Sequence, residues 1–220
     1  MSFNKHTALP QADYLCKKIK ELLFKTAVVF DDEKVQKLAE LVILLCKWNK
    51  ALNLTSIKDP DDMVVLHILD SAVISPLLTG KNIADVGTGA GFPGLVLAIL
   101  NPDKHFTLID SVAKKLSFVK SASVQLKLEN VTLINDRCEN IKPLVPFDCI
   151  VSRAFAPLGR MVEWCIHLLD DKGIFIAMKA NLEDSEIKEI PLFVKIKKIE
   201  ELNVPTLNAE RKAVFIEKAE

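Results

Sequence analysis

The chain has 220 residues, 50% of them apolar and 26% charged, which is enough apolar material for a real core and excludes wholesale disorder. Lys plus Arg and Asp plus Glu both number 29, so the formal net charge is zero and a polycation that coats RNA through bulk charge is excluded. The longest unbroken apolar runs, Leu41–Cys46 and Leu95–Leu100, are six residues each, against about 20 for a bilayer span.

The N-terminal stretch MSFNKHTALP has no apolar region of the secretory kind. The five cysteines (16, 46, 138, 149 and 165) are odd in number and contain no C-x-x-C spacing. They are expected to be free thiols of a cytoplasmic protein with no disulfide. Residues 11–24 carry a weak helical pattern. Asp31 is expected to cap a stronger helix, with Asp32 and Glu33 in its first turn and Val35, Leu38, Val42 and Leu45 on one stripe, ending near Trp48. Asp59-Pro60-Asp61-Asp62 opens a third, running through Met63, Leu66, Leu69 and Val73 and stopping before Pro76. Residues 1–75 therefore read as a helical cap packed on a second region, 76–220, in one globular unit.

From Asn82 strands alternate with helices, the pattern of a mostly parallel sheet covered on both faces. The expected strands are 83–86, 106–109, 131–134, 149–151 and 174–178, with helices over 94–100, 112–127 and 158–169. Two further strands, 193–202 and 213–218, are joined by a loop too short for a crossover helix and so must be antiparallel. The whole reads as an α/β protein with a seven-stranded, mostly parallel sheet and a reversed last strand.

Asp85-Val86-Gly87-Thr88-Gly89-Ala90-Gly91-Phe92-Pro93-Gly94 lies between the first strand and its helix. Three readings compete for it. Gly89 to Gly94 matches G-x-G-x-x-G, and Asp110 stands near the offset of about 20 residues for a ribose-binding acid, which would suit NAD. Read instead as Asp85-x-Gly87-x-Gly89-x-Gly91, the loop opens with an acid that would repel a pyrophosphate. Such an acid suits S-adenosylmethionine, with its ammonium and sulfonium cations. In the third reading the glycines only make a tight turn and Asp85 caps the helix. The Asn135-Asp136-Arg137-Cys138-Glu139 loop after the third strand, where adenine would lie, and the reversed last strand favour the methyl donor. Asp85, Gly87, Gly89, Gly91 and Asp110 are the resulting donor-site candidates.

Four blocks follow one another along the chain: Trp48-Asn49-Lys50-Ala51-Leu52-Asn53-Leu54-Thr55-Ser56, His67-Ile68-Leu69-Asp70-Ser71, the glycine loop, and Ser152-Arg153-Ala154-Phe155-Ala156. In this order they resemble the glucose-inhibited division protein B family of bacterial small-subunit rRNA methyltransferases over nearly the whole chain. The resemblance implies a class I, Rossmann-like methyltransferase fold with a helical N-terminal part. It also implies transfer of a methyl group from S-adenosyl-L-methionine to N7 of a guanine in the 530 loop of 16S rRNA, free or within the small ribosomal subunit. It further implies that Gly87, Phe92, Cys138, Glu139 and Arg153 bind the donor. The family often carries Ala or Val where Cys138 stands, which a backbone contact would tolerate.

Guanine N7 offers an in-plane lone pair without losing a proton, so no general base is required, and Arg153 is the positioning candidate. His67, one turn before Asp70, is expected to order its helix against the glycine loop. Asn53 either caps its helix or bonds the guanine edge. Lys114, Lys115 and Lys120 are either a solvated face or phosphate contacts, with Lys114 and Lys115 taken as substrate-binding candidates. Trp48, Trp164 and cysteines 46, 149 and 165 fall on apolar faces and read as core. No His/Cys grouping has metal-ligand spacing, so no metal is expected. A small-molecule methyltransferase and an NAD-binding oxidoreductase are the competing functions.

Overall fold

The computed structural model describes residues 10–153 and 156–219. Ala154 and Phe155, inside the fourth block, lie outside the described residues.

The first helices are α1 (Ala12–Leu23) and α2 (Asp32–Leu52). Asp31 caps α2 as its position suggests, its Oδ1 accepting the Lys34 N–H at 2.8 Å. The stripe Val35, Leu38, Val42 and Leu45 is buried together with Leu15, Ile19, Leu22 and Leu23 of α1. Asn53 ends α2 in the left-handed region at φ 48°, a conformation its short amide tolerates better than most side chains. Asp59 then opens α3 (Pro60–Met63), accepting the N–H groups of Asp61 and Asp62 at 2.8 and 3.3 Å. The sequence suggests one regular helix from here to Val73. Instead the middle, Val64–Leu69, widens into a π turn before closing as α4 (Asp70–Ala72). Such turns are uncommon and recur at functional sites; this one carries His67.

The strands are β1 (Asn82–Val86), β2 (His105–Ile109), β3 (Val131–Ile134), β4 (Phe147–Arg153), β5 (Leu169–Lys179), β6 (Val194–Glu201) and β7 (Lys212–Lys218). They form one seven-stranded sheet in the order β3-β2-β1-β4-β5-β7-β6. β1 to β5 pair in parallel, while β7 pairs antiparallel with both β5 and β6. The crossovers carry α5 (Gly94–Leu100), α6 (Ala113–Gln125) and α7 (Leu158–Cys165). The sequence pattern missed α8 (Asp184–Lys188), a five-residue helix with no buried side chain and hence no apolar period to betray it.

Alternation along the strands sorts side chains onto two faces. Ile83, Cys149, Val151, Ile174, Ile176 and Phe215 join the core that also contains α1, α2 and α5. Ala84, Ile150, Phe175, Ala177 and Val214 pack with α7 on the other face. The helical cap thus shares one continuous core with a face of the sheet. Among the described residues, no helix is long and apolar enough to cross a membrane.

Candidate donor-binding site

The strand order reverses between β1 and β4, and ligands of open α/β sheets bind beyond the carboxyl ends of the strands at such a point. There the structure has a cavity of about 520 Å³, lined by Val86, Gly87, Ile109, Asp110, Ser111, Lys115, Asp136, Arg137, Cys138, Glu139 and Trp164. Pockets of roughly 300–1,000 Å³ are typical for small ligands and cofactors.

The glycine loop is held from within. Gly87, Gly89 and Gly91 have φ of 72°, 59° and 87°, a left-handed run that glycine adopts readily. The Gly87 and Thr88 N–H groups donate to the Ile109 carbonyl, and those of Gly91 and Phe92 to the Thr88 carbonyl. The Gly89 N–H donates to Asp110 Oδ2 at 2.8 Å. At the start of α5, the Gly94 N–H donates to Asp85 Oδ2 at 2.7 Å, beside the Thr88 hydroxyl at 2.6 Å. A nest for pyrophosphate needs backbone N–H groups free to point at the anion. In this loop, six of the backbone donors between Gly87 and Gly94 are already satisfied by the protein. That arrangement disfavours a dinucleotide.

Asp85 departs from its expected place. It is fully buried beneath the loop, holds Thr88 and Gly94 through one oxygen, and does not line the cavity. Its Oδ1 has no hydrogen-bond partner, and burial pushes its carboxyl up to about 6 against the bonds from Thr88 and Gly94. It is the cap of the third reading of the loop, set under a loop of the first two. Gly94 is tied to it: a Cβ there would stand 2.6 Å from Asp85 Oδ2.

Asp110 does line the cavity. Its two oxygens accept the Gly89 and Val112 N–H groups, each at 2.8 Å, which fixes the carboxylate at the end of β2 with lone pairs to spare for a diol. Across from it, Cys138 and Glu139 begin a single 3₁₀ turn after β3. The Glu139 carboxyl is lowered by its own backbone N–H and by the Cys138 thiol, and that of Asp136 by Asn140 and the Arg137 N–H. The wall thus combines the carboxylates Asp110, Asp136 and Glu139 with the cations Lys115 and Arg137 and the apolar Val86 and Ile109.

Phe92 and Arg153 are not among the residues lining this cavity. Phe92 is buried, with the His67 ring stacked on it at 4.7 Å between centroids and 16° between planes. The Arg153 guanidinium stands 5.9 Å from the same ring, donating to Asp70 Oδ2 at 2.9 Å and to the Leu66 carbonyl at 3.1 Å. Arg211 donates from Nε to the other oxygen of Asp70 at 2.8 Å. His67 Nε2 meets the Thr55 hydroxyl at 3.0 Å. Burial, and then the nearby Arg153 cation, lower the imidazole to about 4, so it is neutral at physiological pH. These contacts tie cap, glycine loop and the ends of β4 and β7 into one cluster. Gly89 and Gly91 likewise shape the loop without lining the cavity.

The substrate candidates separate. Lys115 lies in the cavity wall, where its Nζ would be 3.9 Å from a Cβ on Gly89. Lys114 is exposed outside it, and Asn53 is the exposed C-cap of α2. Asp136 and Arg137, in the loop read as the adenine side of the site, line the cavity; Trp164 is the lining residue that the sequence did not point to. Trp164 packs against the core on the α7 face of the sheet, as its apolar helix suggests, and being half-buried it also lines the cavity. Trp48 packs edge-on against Phe118 at 5.8 Å. Among the described residues, no group of three His, Cys, Asp or Glu side chains is placed to hold a metal ion.

Residues 34–215 match the sequence model of the GidB family, rRNA small subunit methyltransferase G. A ribosomal RNA small subunit methyltransferase G of Aeromonas salmonicida is 48% identical over 86% of this chain and 91% of its own. One from Pasteurella multocida is 47% identical over 92% of this chain and 96% of its own. Among solved structures, a ribosomal protein L11 methylase of Lactobacillus delbrueckii subsp. bulgaricus superposes with a TM-score of 0.52 at 15% identity, covering 69% of this chain and 77% of that one. This last likeness concerns the fold.

Proposed function

We propose a reaction for this chain from one premise: it belongs to the GidB family of rRNA small subunit methyltransferases. It is a methyltransferase of small-subunit rRNA with a class I, seven-stranded fold. Beyond that, we infer that the donor is S-adenosyl-L-methionine, bound in the cavity between Gly87, Asp110 and the Cys138–Glu139 turn. We also infer that the acceptor is N7 of a guanine in the 530 loop of 16S rRNA.

The observation that carries the donor reading is the pairing of a glycine loop largely satisfied from within with a ribose-type acid facing the cavity. Such a site accepts an adenosyl group and offers little to a pyrophosphate. When bound, the donor supplies a methyl group on a sulfonium, ready for direct displacement. Asp110 would hold the ribose hydroxyls, and the turn at Cys138 and Glu139 the base. A neutral His67 with a lowered pKa is a poor base, which agrees with an acceptor nitrogen that has no proton to give up. The protein then has to position and to shape the field.

The test is methyl transfer from labelled donor to 30S particles, naked 16S rRNA and a panel of small molecules, followed by mapping of the modified base. Label on a guanine N7 of the 530 loop is the expected result. Label confined to small molecules, or on another atom, would overturn the acceptor assignment. A thermal shift with NAD and none with S-adenosylhomocysteine would overturn the donor.

A further inference from the structure

Among the described residues, Trp164 is the only aromatic side chain lining the cavity. The other lining groups are small or aliphatic, as at Val86, Ile109 and Cys138, or polar and charged, both around Asp110 and on the turn that carries Arg137 and Glu139. Trp164 reaches the site from α7, which follows β4, whereas Asp110 and the Cys138–Asn140 turn come from β2 and β3 on the other side of β1. It thus adds a wall to the cavity from a different element than the acid at the end of β2.

Its position is secured by its neighbours. Cys165 Sγ lies 3.7 Å from Cys138 Sγ, and His167 Nε2 lies 3.1 Å from the Ile141 carbonyl. The segment bearing Trp164 is therefore fastened at two points to the 3₁₀ turn whose residues form the neighbouring wall. Cys165 is fully buried, and Cys138 nearly so. A lining indole whose helix is fixed in this way can offer a planar apolar surface at low conformational cost, which suits a planar heterocycle.

We propose that Trp164 is the wall against which the purine base of the donor packs. The proposal rests on the donor reading above and adds to it the residue that recognises the base. Stacking between a base and an aromatic side chain is worth enough for a loss of about tenfold or more in affinity when the ring is removed.

Calorimetry with S-adenosylhomocysteine on the full chain tests it, using wild type, Trp164→Ala and Trp164→Phe. The expected result is binding by wild type, at least about tenfold weaker binding by Trp164→Ala, and recovery to within a few-fold by Trp164→Phe. A second measurement does not depend on Trp164→Ala folding. The chain has two tryptophans, so Trp48→Phe leaves Trp164 as the sole indole emitter, and S-adenosylhomocysteine should change its emission saturably. The ligand's midpoint should match the calorimetric one. Wild-type binding with an unaffected Trp164→Ala, or an emission unmoved at saturation in Trp48→Phe, would overturn the role of Trp164 alone. No uptake of S-adenosylhomocysteine by wild type would overturn the donor reading, and this inference with it.

Discussion

Asp70 and Arg153, 83 positions apart, meet at 2.9 Å, with Asp70 buried to 3% exposure. The same carboxylate takes Arg211 from the start of β7, so one acid of the cap holds two cations of the sheet. Breaking a buried pair by deleting one partner leaves charge uncompensated, a loss of about 3–5 kcal/mol. Asp70→Ala strips both arginines of their partner at once and is expected to lie at the upper part of that range. Urea denaturation measures it, and a change under 1 kcal/mol would show that the arginines find water instead.

His67 and Asp85 are expected to set opposing pH dependences. The imidazole sits near 4 in the fold and about 6.5 unfolded, so the unfolded chain binds more protons and stability falls as pH drops from 6.5 toward 4. The Asp85 carboxyl sits near 6 in the fold against 3.8 unfolded, so stability falls as pH rises from 4 through 6. Each effect is on the order of 3 kcal/mol over the full window between the two pKa values. Relative to wild type, His67→Phe should be less harmful at pH 4.5 than at pH 6.5, and Asp85→Asn the reverse. Urea midpoints at the two pH values decide it, and parallel shifts of both variants would refute the assignment.

Two glycines of the loop should respond differently to alanine. A Cβ on Gly94 meets Asp85 Oδ2 at 2.6 Å and Leu108 Cγ at 2.7 Å, whereas on Gly89 its nearest contact is Lys115 Nζ at 3.9 Å. Gly94→Ala should cost about 1–3 kcal/mol by overpacking. Gly89→Ala should cost about 1–2 kcal/mol, from its positive φ alone. Thermal unfolding gives the order, and the overpacking account fails if Gly89→Ala proves the worse.

Asp110→Asn keeps the shape of the side chain but loses the charge that a ribose diol would bond. Hydrogen bonds to a charged group contribute about 1.5–3 kcal/mol, so affinity for S-adenosylhomocysteine should fall about tenfold or more. Unchanged affinity by calorimetry would remove Asp110 from the ribose.

With guanine N7 as acceptor and His67 titrating near 4, single-turnover methylation should be nearly flat from about pH 6.5 to 8.5. His67→Gln should keep most of its rate if folded, while Arg153→Ala should lose on the order of a hundredfold through misplacement. A steep rise near pH 6.5 that vanishes in the His67 variant would demand a base and a different acceptor atom.

Local rules were enough for much of this protein. Asp31, Asp59 and the 3.6-residue period mark the cap helices, and the run of β1, glycine loop and α5 is legible because strand, turn and helix signals follow within 19 residues, 82–100. The two-faced sheet follows from period-2 alternation, and the reversed last strand from a loop too short to cross over. What the sequence withheld depends on groups far apart along the chain. An acid before a glycine run reads equally well as ligand partner or helix cap; only the fold, by burying Asp85 and aiming it at Thr88 and Gly94, chooses the cap. An apolar helix does not reveal that one of its core-packed residues also borders a cavity; for Trp164 that depends on the packing of α7 against the turn at Cys138. Arg153 is separated from Asp70 by 83 positions and from Arg211 by two helices and the whole of β5 and β6, and no periodicity links residues at such distances. Periodic burial is a local property of sequence, whereas the pairing of charges and the facing of cavities are decided by where the strands bring their ends together.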